Sequence, residues 1–123
     1  MASDQGGKDI SIEAGADLSA LQYTFVTLAS DGQVDGTSSA GGTALGILQN
    51  KPNAAGQIAV VRIEGCSKLV AAATITPDDK IQSDAAGEAD VATTGDHVLA
   101  HALEGADDGD VFEVALVSKH VLA

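Results

Sequence analysis

His97 and His101 are the one pair in this 123-residue chain with the spacing of metal ligands. On a strand, positions i and i+4 point the same way. A metal site needs at least a third ligand, and Glu104 falls on the opposite face. The pair therefore reads as solvent-facing or as part of an oligomer contact, and His120 adds nothing specific. Asp107-Asp108-Gly109-Asp110 has the composition of part of a calcium loop, but no bidentate Glu closes it and no helices flank it. It reads as an Asp/Gly hairpin turn, and Asp78-Asp79 reads the same way. Cys66 is the sole cysteine. No histidine is near it in sequence and no G-x-S-x-G is present, so nucleophilic catalysis has no visible constellation. No glycine-rich phosphate cradle follows a strand. Paired carboxylates acting on sugars would need an aromatic-lined cleft, and the aromatics are Tyr23, Phe25 and Phe112 alone. The chain is expected to be neither an enzyme nor a holder of metal or cofactor.

The elements that would position these residues are short. Acidic residues number 18 against 6 basic, for a net charge of −12. Arg62 is the only arginine, so the positive footprint that phosphate binding requires is missing. Nucleic acid and anionic membrane are not expected partners. An acidic surface favours solubility and discourages random self-association, and it also suits a saline setting. One cysteine allows no intrachain disulfide. Met1–Gly7 has no basic or apolar segment of a signal peptide. The longest apolar run, Leu69–Ala73, is too short to cross a membrane. The length suits one domain burying roughly two-thirds of its unfolded surface. Its core would be mainly Ala, Val, Leu and Ile, each of the larger side chains contributing about 1.5–3 kcal/mol when buried. So thin a core points to stabilisation by an oligomer or partner.

From Tyr23 onward the pattern predicts strands broken by turns, with no window carrying a helical period. Tyr23–Leu28 is rich in β-branched and aromatic residues and ends at Ser30-Asp31-Gly32. Gln33–Asp35 is a short return strand, Gly36–Gly42 a loop, and Ala44–Gln49 a strand closed by the Asn50–Asn53 turn around Pro52. Gln57–Glu64 is the strongest strand; Ser67–Ala72 follows, then a turn at Thr76–Asp79. Lys80–Ser83, Glu88–Thr93, His97–Glu104 and Asp110–Val117 complete the set. The spacing of the breaks predicts an all-β sandwich or small barrel over residues 21–123. Residues 1–20 read as a flexible, loosely tethered N-terminal arm, although Ile10–Glu13 alternates briefly.

A weak internal repeat supports this architecture. At an offset of 53, Ser30-Asp31 falls on Ser83-Asp84, Gly42 on Gly95, Gly56 on Gly109 and Val61 on Val114. Ile58 and Ile63 fall on Val111 and Leu116. Two such units could pair into a closed or nearly closed barrel, removing exposed edges.

With the strands placed, residues 21–118 resemble the bacteriophage capsid decoration (head cement) proteins. The resemblance is carried by G-I-L-x-x-K-P at Gly46–Pro52, A-A-G-Q-x-A-V-V-R-I at Ala54–Ile63 and G-C-S-K-L-V at Gly65–Val70, read as a hairpin. I-T-P-D-D-K-I-x-S-D at Ile75–Asp84 and A-L-E-G-A-D-D-G-D-V at Ala102–Val111 continue it. The order of the series is what carries the likeness, since each piece alone is turn chemistry beside a strand. The resemblance implies a β-barrel or β-tulip domain that forms trimers on the outer surface of an expanded capsid. Its partner would be the major capsid protein, often engaged through an N-terminal arm. The candidate capsid contacts are then Ile10, Ile12, Leu18, Leu21 and Tyr23. The alternatives are a small β-sandwich binding module for a receptor or carbohydrate, on a virion or cell surface, and a ring-forming tail-tube or head-completion protein.

Overall fold

The computed structural model describes residues 7–37 and 39–122. Every regular element among them is a strand. They are β1 (Gly7–Glu13), β2 (Phe25–Leu28), β3 (Val34–Gly36), β4 (Gly46–Leu48), β5 (Ile58–Val70), β6 (Lys80–Ser83), β7 (Ala89–Val91), β8 (His97–Ala102) and β9 (Val111–Val121). They join into one antiparallel sheet in the order β3-β2-β4-β5-β9-β8-β6-β7, with β1 added on β5. The sheet curls as a half-barrel.

β5 differs from its sequence reading. Two strands separated by a turn were expected at Gly65, and the structure has one strand of 13 residues. Gly65 adopts φ 90°, a conformation that glycine alone enters without steric cost. The chain bends there without reversing. Before the bend, Ile58–Gly65 pairs with β1 and its centre also with β4; beyond it, Cys66–Val70 pairs with β9.

This shared strand joins two copies of one topology. β2 pairs with β3 and β4, and β4 with β5; likewise β6 pairs with β7 and β8, and β8 with β9. The match is residue by residue. Val26↔Gly36 corresponds to Ile81↔Val91, Leu48↔Val61 to Ala102↔Val114, and Glu13↔Ile58 to Val70↔Val111. Parallel bridges Ala14↔Val34 and Ala71↔Ala89 correspond as well. Even Tyr23 and Asp78, the two non-glycine residues at positive φ among those described, are equivalents. The offset of 53 holds from Gly56/Gly109 onward, but earlier loops differ in length. It is 55 at Gly32/Gly87, so Ser30-Asp31 corresponds to Ala85-Ala86 rather than to Ser83-Asp84.

The core follows the duplication. One cluster gathers Ala14, Leu18, Val26, Val34, Leu48, Ala59 and Val61. Their counterparts Ala71, Ile75, Ile81, Ala89, Ala102, Phe112 and Val114 all lie in the other cluster. That second cluster also takes Phe25, Ala44 and Ile47 from the first half. The start of β2 and all of β4 are thus buried on both faces, Phe25 and Ile47 toward the second cluster, Val26 and Leu48 toward the first. Two-sided burial is why FV and GIL are apolar runs without alternation.

The N-terminal arm is corrected for residues 7–20; residues 1–6 lie outside the described part of the chain. β1 is a full strand of the first half, equivalent to Cys66–Val70 in the second. Ala14 and Leu18 are 0% and 2% exposed. The alternation Ile10-Ser11-Ile12 is that of a strand with one face on the core. A polar clamp adds to it: Arg62, 7% exposed, donates from Nε to Asp9 Oδ1 at 2.7 Å and from Nη2 to Asp9 Oδ2 at 3.1 Å. Its Nη1 donates to the Cys66 carbonyl at 2.9 Å. The sole arginine is therefore a bidentate staple across the irregularity at Lys8/Asp9.

Candidate docking surface

Four of the five sequence-predicted contacts come together, facing inward, and Tyr23 stands apart from them. Ile10, Ile12 and Leu21 pack against the first core cluster, of which Leu18 is a buried member. Leu18 N–H donates to the Pro52 carbonyl at 2.8 Å, and Leu21 N–H to the Leu18 carbonyl at 3.0 Å. Leu18 is unavailable to a partner in this fold. Ile10, Ile12, Leu21 and Tyr23 are half-buried and keep only part of their surface. Tyr23 is fixed by its backbone, N–H to the Leu48 carbonyl and C=O from the Val70 N–H, with Lys68 Nζ 5.6 Å from its ring centre.

The residues that could have done chemistry are engaged separately. His97 Nδ1 lies 3.1 Å from the Gly41 carbonyl. His101 Nε2 lies 2.8 Å from the Asp78 carbonyl and 2.9 Å from Asp78 Oδ1. The two rings thus address different loops. No group of three His, Cys, Asp or Glu among the described residues is placed to hold a metal ion. Asp107-Asp108-Gly109-Asp110 is a turn closed on itself, with Asp107 N–H to Asp110 Oδ2 at 3.1 Å and Asp110 N–H to the Asp107 carbonyl at 3.0 Å. Thr93 donates to Asp96 from both hydroxyl and backbone, holding that carboxyl below its ordinary pKa; Ser19 does the same for Asp17. Turn carboxylates here act as local acceptors. Cys66 is a free thiol, half-buried on β5.

The surface that remains open lies elsewhere. Among the described residues, Leu28, Ile58, Val91, Leu103, Val111 and Val121 are the exposed large apolar side chains, led by Val121 at 54%. Three shallow depressions adjoin the distal half of β9. One of about 410 Å³ lies between Ile63, Glu64, Leu116, Val117 and Lys119. A second, of about 260 Å³, runs from Lys119 to Leu28, Thr43 and Leu45. The third, of about 180 Å³, is lined by Lys80, Val98, Ala100, His101, Val117 and His120. Lys119 Nζ donates to the Leu45 carbonyl at 3.1 Å, and burial lowers the pKa of its ammonium. Sequence reasoning missed this end of β9, because its expected strand stopped at Val117. The run Leu116-Val117-Ser118-Lys119-His120-Val121 carried a usable signal in the β-branched residues at both ends.

No known protein family profile matches the sequence, and no curated protein matches it. Among solved structures, the crystal structure of the head fiber gp8.5 N base in bacteriophage phi29 superposes with a TM-score of 0.68 at 14% sequence identity. The match covers 89% of this chain and 93% of that one. It is a likeness of fold, and it extends across both halves of the duplicated sheet.

Proposed function

We propose that this chain is a structural protein of a phage virion, with no catalytic role, that sits on the outside of an expanded capsid as trimers. The observation that carries this reading is the architecture shared with a phage head-fibre base over nearly the full length of both chains. The ordered turn-and-strand series from Gly46 to Val111, which resembles head cement proteins, supports it independently. The exposed apolar side chains supply contact area, and the net charge of −12 suits the outer shell, away from packaged DNA.

The mechanism is clamping. A trimer bridging neighbouring capsid subunits buries area that an unbridged shell leaves exposed, opposing the outward pressure of the genome. Preference for the expanded shell follows when the docking surface exists only in that state, because a ligand shifts an equilibrium only by its differential affinity. Leu18 is inside the fold, so the contacts fall on exposed residues and on the remaining surface of Ile10 and Ile12. Purified chain added to expanded and unexpanded phage heads should co-sediment with the expanded form and raise its melting temperature. Absence of both effects overturns the reading.

A further inference from the structure

The duplication exposes an incompleteness in the second half. In the first half, β1 covers β5 from Ile58 to Gly65. The equivalent stretch of β9 runs from Val111 to Ser118, yet β5 covers only Val111–Ala115 before bending away at Gly65. Beyond Ala115, β9 pairs among the described residues with β8 alone, at Leu116, His120 and Val121, and the ladder is interrupted between Val98 and Ala100 of β8. This stretch therefore has β8 on one side and no strand of the described residues on the other. It is longer than β3 and β7, which end the sheet with three residues each, while β1, of seven residues, also pairs on one side only, with β5.

We propose that the distal edge of β9, Leu116–Val121, accepts an extended acidic and apolar segment of another protein as an added strand. Backbone pairing would supply affinity, and side-chain pockets on either side of the strand would supply selectivity. All three surface depressions include a residue of this stretch. Their apolar linings, Ile63, Leu116, Val117 and Val98, suit alternate apolar side chains. The charge is local and opposite to that of the molecule. Lys119 lies on the edge strand and Lys80 in the adjoining depression, against the single carboxylate of Glu64 in the first, on a chain of net −12. An acidic segment is attracted to that sector. A second copy is disfavoured, because pairing β9 with β9 brings the two Lys119 ammonium groups toward each other, and like charges across strands destabilise. An edge lysine is also a common guard against self-pairing. Only the identity of the partner, a segment of the shell, rests on the virion reading.

The test uses the full isotope-labelled chain and a seven-residue peptide alternating glutamate and valine, with a lysine-valine peptide as control. The acidic peptide should shift the amides of residues 116–121 and slow their hydrogen exchange. Lys119→Glu and His120→Glu should each weaken binding by about tenfold, and added salt should weaken it too, with the sedimentation mass unchanged. Shifts absent at millimolar peptide, shifts scattered over the surface, or equal binding of both peptides overturn the proposal. So does self-association through β9, which would make a second copy the occupant. Expanded heads supply a separate readout. Peptide binding without head binding sustains the edge and sinks the virion reading, while head binding without peptide binding does the reverse.

Discussion

The two halves of this molecule share a backbone and differ in what fills it. At one pair of equivalent positions the first half has Ala59 and the second Phe112; at another, the first has Leu48 and the second Ala102. Volume moves between positions while the strand pairing stays constant. The first half adds a partly buried ion pair, Asp9–Arg62, where the second has Cys66 opposite Ala115. The backbone plan therefore does not depend on any one filling. Each half reaches close packing by its own route, as cores do when total volume and patterning are kept.

The largest expected break in this comparison is at Phe112. Phe112→Ala should cost about 3–5 kcal/mol in urea unfolding, by lost transfer energy and a residual cavity. Ala59→Phe should cost about 1–3 kcal/mol by overpacking. A small loss at Phe112 would mean that the second half is not filled from that position.

The ion pair comes next. Arg62 is nearly enclosed while the Asp9 side chain keeps 33% of its exposure, so Asp9→Ala should cost about 2–3 kcal/mol, below the full penalty for an unpaired buried charge. Adding Arg62→Met should recover part of that loss. Hydrogen exchange should quicken along β1 in the single variant. Cys66→Ala, at the position equivalent to Asp9, should stay within about 0.5 kcal/mol. If Asp9→Ala also proves neutral, β1 is held by its apolar face alone.

The smallest effect sharpens the comparison at a turn. Gly32 and Gly87 are equivalents, both at φ 85°. A Cβ at Gly32 meets open space, whereas one at Gly87 would stand 2.6 Å from the Phe25 carbonyl oxygen. Gly32→Ala should cost about 1 kcal/mol for the left-handed backbone alone. Gly87→Ala should cost about 2 kcal/mol, since the Phe25 strand must also shift. Equal losses would show that contact between the halves adds nothing at this turn.

Much of the fold was legible because its signals are local. Lys80–Ser83 was bounded correctly from β-branched and apolar residues set between Asp78-Asp79 and Asp84. The first antiparallel hairpin followed from turn chemistry at Ser30-Asp31-Gly32, ahead of the return strand. What escaped depends on distant partners. Gly65 reads as a turn in sequence, and only the pairing of β5 with β1 on one side of it and β9 on the other shows a bend within a strand. β1 looked like an arm because its stapling residue, Arg62, lies 53 positions away. Leu18, expected at a partner contact, is a core residue, and it escaped for a related reason. Apolar residues in a polar stretch carry the same pattern whether they cover their own core or a partner's.

The sharing of β5 also bears on how the chain folds as it is made. Synthesis proceeds from the N-terminus at about 5–20 residues per second. By the time β5 has emerged, every strand of the first half is present and can close. The tail of β5 is then already extended and aligned, a template on which β9 needs only to zip. Each closure spans about half the chain, which keeps contact order below that of a sheet joining its first strand to its last. Nascent β6 to β9 then meet a formed surface, a safeguard against misassembly during synthesis.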